Sequence, residues 1–269
     1  MKPLGKFHEL TAAGFIVNDC RPLSPSEWDE PISLVMEKAQ LRLGQAMHSA
    51  YLRGSLARGT WVNGVSDLDM LVIYEDAGAA QFDWRWTIEL SRELMGRFPF
   101  CAGLDANFLN KKILEESPKG ASYRFMLKTQ SLCIYGDDII GRLPPCRPDT
   151  SAMFSFRGLA GDIDCAAEDL DSSGDATGIC RWLMRRIVRA AGEIAMLQDG
   201  RFTRDLCSCT ETYLSHFGFR ITDSLIPTAL KLAITPESDR TLVLEVGRSA
   251  YLELQEVFEI SKPSQNSEL

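Results

Sequence analysis

The sequence predicts an α+β fold, with strands and helices interleaved in the amino-terminal half and an α-helical domain after it. Two observations carry this. Four short apolar runs of strand length fall before residue 140, with amphipathic segments of helical spacing among them. Prolines then crowd the segment from Pro144 to Pro148, and beyond it apolar residues recur at helical spacing while strand signals fade.

The first helix is expected over Pro31–Gly44, where Ile32, Val35, Met36 and Leu43 are spaced to share a face. A strand follows over Ala46–Gly54. Leu68–Tyr74 is a second strand, apolar almost throughout and so buried on both faces. Phe82–Phe98 is an amphipathic helix, Cys101–Asn110 a third strand, and Ser131–Ile139 a fourth that ends at a Gly-Asp turn. Gly141–Ser151 is the expected linker. Thr177–Gly200 then forms a long helix that stops at Gly200, with a stripe through Ile179, Leu183, Ile187, Ala190, Ile194 and Leu197. Arg204–Gly218, Ile226–Ile234 and Thr241–Ile260 complete the helical part. The resulting division is residues 1–143, residues 151–261 and a frayed tail at 262–269.

A chain of 269 residues with 45% hydrophobic residues can build two cores. Its net charge of −8 argues against a general nucleic-acid coat and suits a cationic small molecule, while leaving room for one local contact to RNA or a nucleotide. The eight cysteines include no C-x-x-C pair and read as free thiols in a reducing compartment. Cys207 and Cys209 would point to different faces of a helix, so zinc is not expected. No signal peptide and no apolar run of membrane-span length is visible, which predicts a cytoplasmic protein.

The chemistry concentrates in "YLRGSLARGTWVNGVSDLDMLVI", Tyr51 to Ile73. Asp67 and Asp69 share one side of the strand, about 6.6 Å apart along the chain. Two carboxylates so placed repel each other unless a cation sits between them. Mg²⁺ takes hard oxygen ligands, commonly one or two carboxylates with the remainder from substrate phosphates. About a dozen residues earlier, Gly54 and Ser55 lie at a sharp turn where backbone N–H groups and a hydroxyl can approach an anion. The spacing predicts a strand–turn–strand layout that brings a nucleoside triphosphate and its metal to one sheet edge. A P-loop is excluded, because Thr60 and Trp61 follow Gly59 where lysine would be required. A G-x-S-x-G elbow and a G-x-G-x-x-G loop are absent as well.

The segment "GSLARGTWVNGVSDLDMLVI" closely resembles the nucleotidyltransferase signature of the DNA polymerase β superfamily, a Gly-Ser followed by Asp-x-Asp. Its "ARGT" and "SDLDMLV" details resemble the bacterial aminoglycoside adenylyltransferases and minimal nucleotidyltransferases. The resemblance implies a small mixed sheet with helices over the first 140 residues or so, followed more loosely by a helical domain. It implies ATP or another NTP as co-substrate, held at Gly54 and Ser55, and Mg²⁺ held by Asp67 and Asp69. The superfamily's third carboxylate would be Asp105, as general base, metal ligand or both. The related aminoglycoside enzymes often carry glutamate there. "GRFTRDL" resembles a helix start that in those enzymes carries a Lys-Asp pair, here Arg204-Asp205.

Other residues carry two readings. Arg58 either contacts the nucleotide or pairs with a nearby acid. Arg189 and Arg204 are the better phosphate candidates of the helical half, whereas Arg181 and Arg185 read as a solvated face. Thr203 and Asp205 are equally readable as a helix cap and a first-turn acid. The acidic run Gly161–Asp175 reads as a solvated helix face and loop, or else lines a site for a cationic acceptor. Trp84, Trp86 and Trp182 read as core or interface residues, and His8, His48 and His216 show no catalytic pairing. The implied reaction moves a nucleoside monophosphate, AMP from ATP, to a hydroxyl of an aminoglycoside-like small molecule, with no membrane involved. The alternatives are a tRNA or protein acceptor of the toxin–antitoxin type, and a catalytically inactive nucleotide-binding regulatory module.

Overall fold

The computed structural model describes residues 6–21, 26–75, 85–172, 174–221 and 223–261. The chain is α+β, with a small mixed sheet and its helices preceding an all-helical unit. By packing, Val17–Cys146 forms one unit. Residues 6–16 group with the described residues from Arg147 onward, rather than with the sheet as a start at residue 1 implies. The His8 N–H donates to the Phe202 carbonyl at 2.8 Å and Arg147 stacks on the Phe15 ring, which ties this amino-terminal segment to the helical unit.

The sheet unit begins with α1 (Asp29–Leu43) and β1 (Met47–Leu52). Then come α2 (Gly54–Arg58), β2 (Leu68–Tyr74), α3 (Trp86–Arg97) and β3 (Leu104–Asn110). The short helices α4 (Lys111–Glu116) and α5 (Ala121–Gln130) lead to β4 (Leu132–Gly136). Strand order is β3-β2-β1-β4, with β2 and β3 parallel and the other pairs antiparallel. Parallel pairing needs a crossover, and α3 supplies it.

Alternation along the central strand sorts the core into two layers. Leu68, Met70 and Val72 join Trp28, Val35, Leu90 and Leu94 on one face. Leu71 and Ile73 join Tyr51, Leu109, Leu114 and Leu127 on the other. β2 is therefore buried on both faces, as its unbroken apolar run predicts.

The helical unit comprises α6 (Phe154–Ser172), α7 (Ala176–Asp199), α8 (Leu206–Phe217), α9 (Ile226–Ile234) and α10 (Arg240–Ser261). α7 is its centre and packs against the other four. The helix ends at Gly200 in the left-handed conformation, the stop expected there. Asp205 caps α8 by accepting from the Ser208 N–H at 2.8 Å, and Thr203 Oγ1 accepts from the Asp205 N–H. The cap is thus Asp205 itself rather than Thr203.

Three helices depart from the sequence expectations, while α6 matches the solvated helix face expected of the acidic run. α2 replaces the plain turn between the first two strands, because burying Leu56 and Ala57 rewards a turn and a half of helix. α4 and α5 are interrupted at Pro118 and Gly120, so neither is long enough to show periodicity. α6 absorbs most of the acidic run, whose Asp164, Glu168 and Asp169 are exposed while Asp162 pairs with Arg186 at 2.5 Å. Trp86 is buried in the core, whereas Trp182 is exposed on α7, off the apolar stripe. Trp84, the first turn of the expected Phe82–Phe98 helix and the 262–269 tail lie outside the described residues. No helix among the described residues is long and apolar enough to cross a membrane.

Candidate functional site

The same alternation that builds the core places the acids. Asp69, Leu71 and Ile73 share a strand face, and in the register Asp69 lies directly beside Asp105 of β3. Leu71, Ile73 and Leu109 are covered by the α4–α5 layer, while Asp69 and Asp105 stand at the opposite end of that face. Asp67 immediately precedes β2. The parallel pairing brings the third carboxylate level with the second, across 35 residues of intervening chain.

β1 delivers the other half. The Arg53 N–H donates to the Asp69 carbonyl at 3.0 Å, continuing the antiparallel ladder one step past Leu52 and Met70. Gly54 then turns with φ +66°, a region that favours glycine. A Cβ there would fall 2.0 Å from Asp69 Oδ2, so the carboxylate occupies the space a side chain would need. Gly59, at φ +67°, closes α2, with its N–H bonded to the Leu56 carbonyl.

The loop beyond α2 is pinned by its hydroxyls. Ser55 Oγ donates to Ser66 Oγ at 3.0 Å, and Ser66 Oγ accepts from the Val62 N–H at 2.9 Å. Arg58 Nε donates back to the Gly54 carbonyl at 3.2 Å. This bond ties Arg58 to a backbone carbonyl of the turn rather than to a nearby acid. Asn107 Nδ2 donates to Asp105 Oδ1 at 2.7 Å and fixes that carboxylate.

Burial, then the Asp67 charge, pushes the Asp69 carboxyl up to about 7; Asp105 adds to the effect, and the Arg53 charge opposes it. Carboxylates so close that one resists ionising form a site with affinity for a proton or a metal. Asp69 is 23% exposed and Asp105 56%, so the first is the better enclosed and the second the more accessible. Among the described residues, no group of three or more His, Cys, Asp or Glu side chains is arranged to hold a metal ion by itself.

Arg53 is the residue that sequence reasoning missed. Its Nη2 lies 3.7 Å from Asp69 Oδ1 and 3.6 Å from Asp105 Oδ2. The available signal was an arginine directly before Gly54-Ser55, at the end of a buried strand.

Arg189 and Arg204 belong to the helical unit. Arg204 Nη1 lies 3.7 Å from Glu193 Oε1 and donates to Ser155 Oγ at 3.4 Å. Glu193 is buried within α7 and accepts from the Ser155 and Phe156 N–H groups at the start of α6. Burial raises its carboxyl above the ordinary range, opposed chiefly by Arg204. Arg204 thereby compensates a buried charge, a packing role. Burial also pushes the Cys209 thiol up to about 12, while Arg204 and Arg189 pull it down. Glu193 was visible in the sequence as a lone acid within the apolar run "AAGEIAM".

No protein-family model and no curated protein matches the chain. Among solved structures, a spectinomycin adenyltransferase from Enterococcus faecialis, solved with ATP and spectinomycin, aligns at 16% identity with a TM-score of 0.45. That alignment covers 84% of this chain and 98% of the other. A toxin–antitoxin structure with AMP-PNP aligns at 18% identity and a TM-score of 0.27, over 51% of this chain and 96% of the other. Neither likeness bears on the residues of the site.

Two outcomes are expected. Gly54→Ala combines left-handed strain with a collision against Asp69, and should lower the unfolding free energy by about 2 kcal/mol or more in urea titrations. Gly59→Ala, with open space around its Cβ, should cost only about 1–2 kcal/mol. The second outcome concerns pH. Asp69 binds its proton more tightly folded than unfolded, so its contribution to stability is complete below about pH 4 and is lost as pH rises through 7. In chelator-containing buffer, Asp69→Asn should flatten the decline of Tm between pH 5 and pH 8 relative to the unsubstituted protein.

Proposed function

We propose that this protein is a nucleotidyltransferase that moves a nucleoside monophosphate, AMP from ATP, to a hydroxyl of a cationic, aminoglycoside-like small molecule. The observation that carries the reading is Asp69 held against the Gly54 backbone beside Asp105, with the Asp67 charge acting on it. A strand end with this many acids, one of which resists ionising, suits a divalent cation better than it suits water. The resemblance of Gly54–Ile73 to the polymerase β signature assigns the same residues.

In this reading Asp67 and Asp69 hold Mg²⁺, with the remaining ligands from the triphosphate, and Asp105 is a ligand or the base. The two-carboxylate set meets the usual requirement of Mg²⁺ without a third protein ligand. When bound, the ion supplies a Lewis acid that neutralises charge on the reacting phosphates. Gly54 and Ser55 take triphosphate oxygens through backbone N–H groups and the Ser55 hydroxyl. The acceptor oxygen forms a bond to the α-phosphorus as the bond to the bridging oxygen breaks and pyrophosphate leaves. The hydroxyl proton goes to a carboxylate, and the exposed, Asn107-oriented Asp105 is the one an acceptor can reach. The net charge of −8 favours a cationic acceptor over RNA.

Labelled NTPs, Mg²⁺ and a panel of aminoglycosides, tRNA and proteins test this directly. ATP with a cationic small molecule should release pyrophosphate, and Asp67→Asn or Asp69→Asn should reduce the rate by at least about 100-fold without unfolding the protein. Transfer to tRNA or protein alone would replace the acceptor. ATP binding with no transfer to any acceptor would leave a regulatory nucleotide-binding module.

A further inference from the structure

We propose that Arg53 is a built-in counter-ion of the carboxylate site: its guanidinium sits between Asp69 and Asp105 and must yield when a divalent cation loads. The inference rests on the nucleotidyltransferase reading of the same site. Its consequence is an order of events, in which free Mg²⁺ binds weakly and the cation enters efficiently only together with the triphosphate.

The contacts of Arg53 are those of a placeholder. Its backbone is fixed in the ladder by the bond to the Asp69 carbonyl, and its side chain is only 12% exposed. Yet both carboxylate contacts, at 3.6 and 3.7 Å, are longer than the 2.7–2.9 Å typical of charge-assisted hydrogen bonds. Nη1 donates to Met126 Sδ at 3.4 Å, a weak acceptor. Nε is buried without a hydrogen-bond partner among the described residues. A guanidinium can close a bidentate bridge with a single carboxylate. This one is shared between two, held by charge rather than by directed bonds, so reorienting it sacrifices little. The charged groups acting on Asp69 are Asp67, Asp105 and Arg53. With all three acids ionised, the single arginine leaves a net charge that one divalent cation balances.

The test is a Mn²⁺ titration without nucleotide, followed by the electron paramagnetic resonance signal of free Mn²⁺. Arg53→Met removes the competing charge and should bind Mn²⁺ at least about tenfold more tightly than the unsubstituted protein. Arg53→Lys keeps the charge and should stay close to the unsubstituted affinity. Adding Asp69→Asn to Arg53→Met should abolish the increase. Arg53→Gln is read in the same way if the methionine variant does not fold. Equal or weaker Mn²⁺ binding by folded Arg53→Met or Arg53→Gln overturns the counter-ion role. The metal reading still stands in that case if Asp69→Asn alone abolishes binding of the Mn²⁺–ATP complex. If Asp69→Asn leaves Mn²⁺–ATP binding unchanged, the site reading fails and the counter-ion role fails with it.

Discussion

The carboxylate end of the sheet depends on how closely the Gly54 backbone approaches Asp69. β1 and β2 stay hydrogen-bonded through Arg53 and Asp69, and the chain then turns through a positive φ with no side chain to keep the strands apart. Asp69 Oδ2 takes the volume a Cβ would fill. This contact holds the acid near a turn rich in backbone donors. It also encloses the carboxyl, and enclosure is the first cause of its raised pKa. A longer loop or a bulkier residue at 54 would let Asp69 relax into water, and its carboxyl would lose the enclosure that raises its pKa.

The rest of the unit supports that contact by simple alternation. One face of β2 is apolar under α1 and α3. The other is apolar beside α4 and α5 and acidic at its opposite end. Packing and site are thus two stretches of the same strand face, so the rigidity of Leu71 and Ile73 in the core is passed directly to Asp69. The parallel partner β3 obeys the same rule, with Leu109 in the core and Asp105 level with Asp69. The helical unit has its own buried charge, but there Glu193 is compensated by Arg204 and by two N–H groups of α6. The Glu193 carboxylate accepts two backbone N–H groups, whereas the guanidinium beside Asp69 stays 3.7 Å from it.

Much of this was legible in the sequence. The apolar run Leu68–Tyr74 announced a strand buried on both faces, Gly200 announced the end of α7, and Gly54 with Asp69 marked the place where a positive-φ turn meets an acid. Other features were not legible, for identifiable reasons. α2, α4 and α5 are too short or too interrupted to show a period. Asp105, in a seven-residue strand of mixed burial, was reached through the family resemblance alone, and its place beside Asp69 comes from the parallel register. Arg53 carries no pattern of its own, since its meaning lies in two carboxylates that are distant in sequence or across the ladder. The pairing of Arg204 with Glu193 was not legible either, because that acid lies inside α7 and only packing brings the two together.

Asp67 and Asp69, with Asp105 beside them, are the carboxylates proposed to hold a divalent cation carried by a nucleoside triphosphate. The most direct measurement is a crystal structure with Mn²⁺ and a nonhydrolysable ATP analogue, with Mn²⁺ located by anomalous scattering. The expected result is an anomalous peak coordinated by Asp67, Asp69 and phosphate oxygens, with the triphosphate against Gly54 and Ser55 and Arg53 displaced from between Asp69 and Asp105. An ordered triphosphate elsewhere on the chain, with no Mn²⁺ peak at these carboxylates, would contradict it.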